Sequence, residues 1–272
     1  MNQKIGYPKF LRDTAVTKLE ENIWEAKLTD DWNIGGVANG GYSMATAARA
    51  LSECLDHKDP LSITGHYLSR VESGKARLEI EKLNTGRSVS TALLKFVQGG
   101  EERIRFTACF TDFSKSKGDT LKERESPGFP PIEKCIKMPF KEGFTPVLEK
   151  QIDRRFTPNS AWWEENRKRE RACLDAYMSW PGGEPADLFS VIFFLDTMSP
   201  PIFNRLGSRG WVPSIELTLH LMQKPCPGPL RMRGKTDFVT KGFLEEDDEI
   251  WDSEDNLIGQ ARQMAKLRLP KD

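Results

Sequence analysis

The feature that most constrains this chain is a weak internal duplication. His66 and His220 lie 220 − 66 = 154 positions apart, and Thr64 and Thr218 and Gly74 and Gly228 keep the same offset. Identities are few, but the order of parts agrees. NGGYSMATAARALSECL and then DPLSITGHYLSRVESG near the N-terminus parallel DLFSVIFFLDTMSPPIFNRLG and then WVPSIELTLHLMQKP in the second half. In each half a long apolar helix pattern precedes several amphipathic strands with no further helix between them. A sheet wrapped round one central helix, built twice in one chain, is the economical reading.

At 272 residues the chain has enough interior for one large domain or two intimate ones. Apolar residues make up 38% and charged residues 29%, which fits a globular chain. The longest apolar run, VIFFL, falls far short of the ~20 residues that span a bilayer. MNQKIGYPKFLRD lacks the apolar core of a secretory signal. Forty basic residues balance forty acidic ones without a basic stripe, which argues against nucleic acid as the partner. Five widely spaced cysteines, never in a CxxC pair, argue against a disulfide framework or a zinc site, and a cytoplasmic setting is expected.

Taken in order, residues 1–20 give at most a short strand or helix, and NIWEAKLTDDW alternates as an edge strand would. Met44, Ala47, Ala48, Leu51 and Leu55 then fall at helical spacing, and the alanines and paired glycines of this stretch suit close approach by a surrounding sheet. Four strands are expected at 61–71, 76–84, 88–98 and 103–113, joined by glycine-bearing turns as an antiparallel meander. Residues 114–146, with five prolines, read as a linker long enough to lie over a surface. The expected organisation is therefore an N-terminal unit over 1–113, the linker over 114–146 and a C-terminal unit over 147–272. Residues 159–180 are expected as a loop, then a strand from about Arg171. Asp187 is the expected N-cap of the second helix, and Ser199-Pro200-Pro201 interrupts it before a short helix ending near Gly207.

Three polar residues are expected to face inward or to border a pocket: Asp196 at the helix break, Ser214 at a strand start and Gln263 in the last strand. A carboxylate beside VIFFL is costly to bury unless it is paired or functional. Its plainer role would be to cap the helix at 200–206, and pattern alone leaves that reading slightly ahead. For Ser214 as a turn hydroxyl and Gln263 as an outward strand residue, pattern alone favours the plainer reading more strongly still.

The layout resembles the thioesterase-like double-hotdog proteins, best known as bacterial type II acyl-CoA thioesterases. NGGYSMATAARAL is similar to that family's glycine-glycine helix start, and HYLSRV to its His-Phe-Leu-Arg-Pro-Val strand. FLDTMSPP, PSIELTLHLMQKP and IWDSEDNLIGQARQ follow in order. The resemblance implies an α+β fold, a double hotdog in which two antiparallel sheets, each round a central helix, form one continuous sheet. It places the family's Asp, strand-start Thr and C-terminal Gln on Asp196, Ser214 and Gln263, with Ser keeping the hydroxyl. In the implied mechanism these three hold a water that attacks a thioester carbonyl, Asp196 acting as general base, without metal or redox cofactor.

Asn39, Gly40, Gly41 and Tyr42 are expected at the substrate, the N–H groups of Gly41 and Tyr42 facing the carbonyl oxygen. The plainer reading is that Gly40 and Gly41 only permit tight packing. The implied partner is an acyl-CoA or acyl-carrier thioester, in a pathway such as fatty acid metabolism, and the implied assembly is an outer homodimer of double hotdogs. Competing readings are a hotdog hydratase or dehydratase, a non-catalytic acyl-thioester-binding or assembly protein, and a serine hydrolase built on GYSMA with Ser43, Asp196 and His220. The last lacks the final glycine of the elbow and any βαβ context, and His66 and His220 are expected to pack rather than to catalyse.

Overall fold

The computed structural model describes residues 5–164, 169–207 and 210–268. Helix α1 (Tyr7–Asp13) leads into β1 (Val16–Glu20) and β2 (Ile23–Leu28). The short pair β3 (Asn33–Ile34) and β4 (Val37–Ala38) precedes α2 (Gly40–Cys54). Strands β5 (Asp59–Tyr67), β6 (Gly74–Thr85), β7 (Ser90–Gln98) and β8 (Glu101–Thr111) complete the first half. The second half runs β9 (Asp153–Phe156), β10 (Cys173–Ser179), α3 (Leu188–Leu195) and α4 (Ile202–Leu206), then β11 (Ser214–Leu221) and β12 (Leu230–Lys235). It ends with β13 (Val239–Thr240), β14 (Phe243–Trp251) and β15 (Leu257–Lys266).

One antiparallel sheet contains all these strands except the β3–β4 pair, in the order β1-β2-β6-β7-β8-β5-β11-β15-β14-β12-β10-β9 with β13 beside β14. The order reads the same from either end once β5 is matched to β11, β8 to β15, β7 to β14 and β6 to β12. Thr64 pairs with Thr218 where β5 meets β11, and their Oγ1 atoms are 2.9 Å apart. The pseudo-two-fold relating the halves therefore passes between two residues that the 154-residue offset makes equivalent.

Three expectations need correction. Strands β6, β7 and β8 form the hairpins of a meander, but β5 lies beyond β8 and makes the seam with β11, because its apolar face and free edge are satisfied by the second half rather than by β6. Strand β2 is not the edge, since β1 pairs outside it. His66 and His220 are exposed rather than packed. Alternation along these strands turns Ile63, Gly65, Leu217 and Leu219 inward and sends both histidines to the outer face.

Helix α3 is apolar all round, as a helix enclosed on every side must be. Val191 to Leu195 are each at most 1% exposed, and each such side chain contributes about 1.5–3 kcal/mol on burial. Its start is fixed by a capping box: Asp187 accepts from the Ser190 N–H, and the Ser190 hydroxyl accepts from the Asp187 N–H. Helix α2 packs beside it, and Met44, Ala47, Ala48 and Leu51 are fully buried. Residues 114–136 cross to the outer face of the second half, and residues 138–148 then turn back toward the interior. On the outer face Arg124 pairs with Glu249, and the Tyr177 hydroxyl donates to the Pro130 carbonyl. Ile136 bridges to Phe156 at the end of β9.

Candidate active site

Asp196 is the C-cap of α3 and lies against the N-terminus of α2. Its Oδ2 accepts from the Gly41 N–H at 2.6 Å and from the Asn39 side-chain amide at 2.8 Å. That amide also donates to the Asp196 carbonyl at 2.9 Å, while Asn39 Oδ1 caps α2 by accepting from the Tyr42 N–H. The carboxylate thus sits at the positive end of the neighbouring helix. It does not cap the helix at 202–206, whose N-cap is Pro201. Burial pushes its pKa up from 3.8 to about 6, against the Gly41 and Asn39 hydrogen bonds that pull it down.

The same bonds correct the expected role of the α2 N-terminus. The Gly41 N–H is engaged by Asp196 and the Tyr42 N–H by Asn39, so neither is free for a carbonyl oxygen. Tyr42 is fully buried and donates its hydroxyl to the Asp13 carbonyl. Gly41 serves close packing: a Cβ there would lie 2.7 Å from Asp196 Cβ and 3.0 Å from the Phe193 carbonyl oxygen.

Ser214 and Gln263 come together on adjacent strands, the Ser214 hydroxyl donating to Gln263 Oε1 at 2.6 Å. A bulge between Ser214 and Glu216 shifts the register, which lets Ser214 face inward although its strand parity matches the outward Thr218. Gln263 follows the inward alternation of Gly259, Ala261 and Ala265 and is 9% exposed, so it is not the outward residue of the plainer reading.

Behind it, Glu246 is the in-register partner of Gln263 on β14 and hydrogen-bonds its amide. Asp248 follows on the same inward face. Glu246 Oε2 and Asp248 Oδ1 are buried without partners among the described residues. Burial drives both carboxyls well above the ordinary carboxylate range, helped by the charge of Asp196 and, at Asp248, first by that of Glu246, while the Gln263 amide pulls Glu246 down. The sequence carries a signal for this, because period-two alternation between the apolar anchors Leu244 and Ile250 turns Glu246 and Asp248 inward.

Asp196, Ser214 and Gln263 line one cavity of about 960 Å³, together with Asn39 and Gly40. Its walls are largely apolar. Met138, Phe144, Pro146 and Leu148 enter from the segment between the halves, and Trp162 and Phe203 add aromatic surface. The serine-hydrolase reading fails on geometry: Ser43 donates to the Asn39 carbonyl of its own helix, and His220 stands on the opposite face of the sheet.

The sequence matches the acyl-CoA thioesterase N-terminal domain over residues 28–111 and the acyl-CoA thioesterase C-terminal domain over residues 132–267. The chain belongs to the acyl-CoA thioesterase family. The C-terminal match begins inside the proline-rich segment, whose residues 138–148 supply cavity wall. A thioesterase II candidate from Thermobifida fusca shares 27% identity, with a TM-score of 0.88 over 96% of this chain and 97% of that one. An acyl-CoA thioesterase II from Mycobacterium marinum shares the fold at 15% identity, with a TM-score of 0.77 over 96% and 99% of the two chains. A hot dog fold protein of unknown function from Alicyclobacillus acidocaldarius aligns with a TM-score of 0.85 at 16% identity, over 97% and 99% of the two chains. Among curated sequences, an uncharacterized Mycobacterium tuberculosis protein is 21% identical over 90% of this chain and 91% of its own. Together with the sheet order, these likenesses establish the double hotdog. No helix among the described residues is long and apolar enough to cross a membrane.

Proposed function

We propose that the protein hydrolyses an acyl-CoA or carrier-bound acyl thioester to the free acid and the thiol. The observation that carries this reading is the convergence of Asp196, Ser214 and Gln263, from three separate elements, on one largely apolar cavity. Asp196, with a pKa near 6, is ionised at neutral pH and basic enough to take a proton from water. The water oxygen attacks the thioester carbonyl carbon while its proton passes to Asp196. The tetrahedral oxyanion collapses with cleavage of the carbon–sulfur bond, and the thiolate leaves and takes up a proton. Ser214 and Gln263 hold each other and orient the water, so no covalent acyl-enzyme is needed.

Arg70, Lys266 and Arg268 border the same cavity and suit the phosphates of CoA, while the apolar wall suits the acyl chain. Purified protein incubated with acyl-CoAs of graded chain length and a thiol-detecting reagent tests the reading. Thiol release matched by free acid is expected. Absence of release from every chain length would remove hydrolysis as the function and leave acyl-thioester binding.

A further inference from the structure

With the Gly41 and Tyr42 N–H groups engaged, the thioester carbonyl oxygen needs a donor other than those two, and Tyr67 near the end of β5 offers one. Tyr67 lines the cavity beside Asp196. A Cβ on Gly40 would meet Tyr67 Oη at 2.9 Å and Asp196 Oδ2 at 3.0 Å, so the two oxygens flank the bare face of Gly40, no further apart than the sum of those distances. The phenol oxygen is buried and has no hydrogen-bond partner among the described residues. A buried hydroxyl without a partner is unfavourable, and such groups recur where a ligand completes the bond.

We propose that the Tyr67 hydroxyl is a catalytic residue, donating a hydrogen bond to the thioester carbonyl oxygen and to the oxyanion that forms from it. The proposal rests on the hydrolase reading above. Tyr67 gives up no proton in this step. Burial, and then the charges of Asp196 and Glu216, hold its pKa well above the ordinary phenol value, which keeps the O–H intact as a donor. A side chain at Gly40 would fill the space between the two oxygens.

Tyr67→Phe removes one oxygen and keeps the ring, so the fold should survive, which a thermal melt checks. Loss of one oxyanion donor lowers kcat by about 10²–10³-fold, and KM should stay within a few-fold. A second readout needs no turnover: a CoA ketone analogue, with a methylene between sulfur and a ¹³C-labelled carbonyl, bound to each protein. The wild-type complex should place the carbonyl resonance further downfield than the Tyr67→Phe complex, because the donor polarises it. Identical carbonyl shifts in the two complexes, or an analogue that does not bind the wild type, would overturn the proposal whatever the rates. Absence of thiol release from the wild type would defeat the hydrolase reading alone, since the shift difference still reports the donor.

Discussion

The Gly41 N–H, in the first turn of the first-half helix, donates to Asp196 Oδ2 at 2.6 Å, at the end of the second-half helix. The proposed base is thus held by the other half of the duplicated fold, and the two halves cannot separate without losing it. Gly41→Ala follows from this contact. Alanine for glycine in a helix is normally stabilising by about 1 kcal/mol, but here the added Cβ meets Asp196 Cβ at 2.7 Å. Urea unfolding should show a net loss of about 1–3 kcal/mol, with a fall in thiol release. A gain in stability would mean that the helices are not in this contact.

Asn39 combines two roles that one substitution separates. Asn39→Ser keeps an N-cap acceptor for the Tyr42 N–H, at a cost of at most about 0.5 kcal/mol, and removes the amide from Asp196. That amide lowers the Asp196 pKa, so the acid limb of kcat/KM should move to higher pH. A limb that stays in place would show that Asn39 serves the helix alone.

Much of this arrangement is legible in the sequence, and the reason is locality. Helix periodicity, the Asp187 cap and the Pro200-Pro201 break depend on neighbours a few positions away, and each appears where expected. The offset of 154 even contains the seam, since Thr64 and Thr218 face each other there. What the sequence hides depends on pairing between distant segments. The position of β5 beside β11 is one case. Another is the bulge that turns Ser214 inward, because a one-residue slip reverses the face of a strand residue. The engagement of the Gly41 and Tyr42 N–H groups needed the second helix in place before it could be seen. In EEDDE the alternation between Leu244 and Ile250 turns Glu246 and Asp248 inward, but only the β14 register shows that Glu246 meets Gln263.

Ser214 is expected to act through its hydroxyl. Ser214→Ala frees Gln263 Oε1 and should lower kcat by about 10²-fold, whereas Ser214→Thr keeps the bond and should stay within a few-fold of wild type. Steady-state kinetics on both variants checks this, and native kcat in Ser214→Ala would remove the residue from the site.

The buried acids give a pH-dependent stability. Asp248 has a folded pKa well above 3.8, so above that value the folded state holds a proton that the unfolded chain gives up. Its contribution is present below the unfolded pKa and fades as pH rises toward the folded one. Asp248→Asn has no proton to lose, and its gain in melting temperature over wild type should be larger at pH 8 than at pH 5. Equal gains at the two pH values would show that the carboxyl titrates normally.

The pH dependence of thiol release by the wild type and by Asp196→Asn tests the central claim most directly. The carboxylate must be ionised to take the proton, so wild-type kcat/KM should fall as pH drops through about 6. The Asn variant should lose about 10²–10⁴-fold at every pH. A variant that releases thiol at the wild-type rate, or a wild-type profile flat through that range, would contradict the assignment of Asp196 as the base.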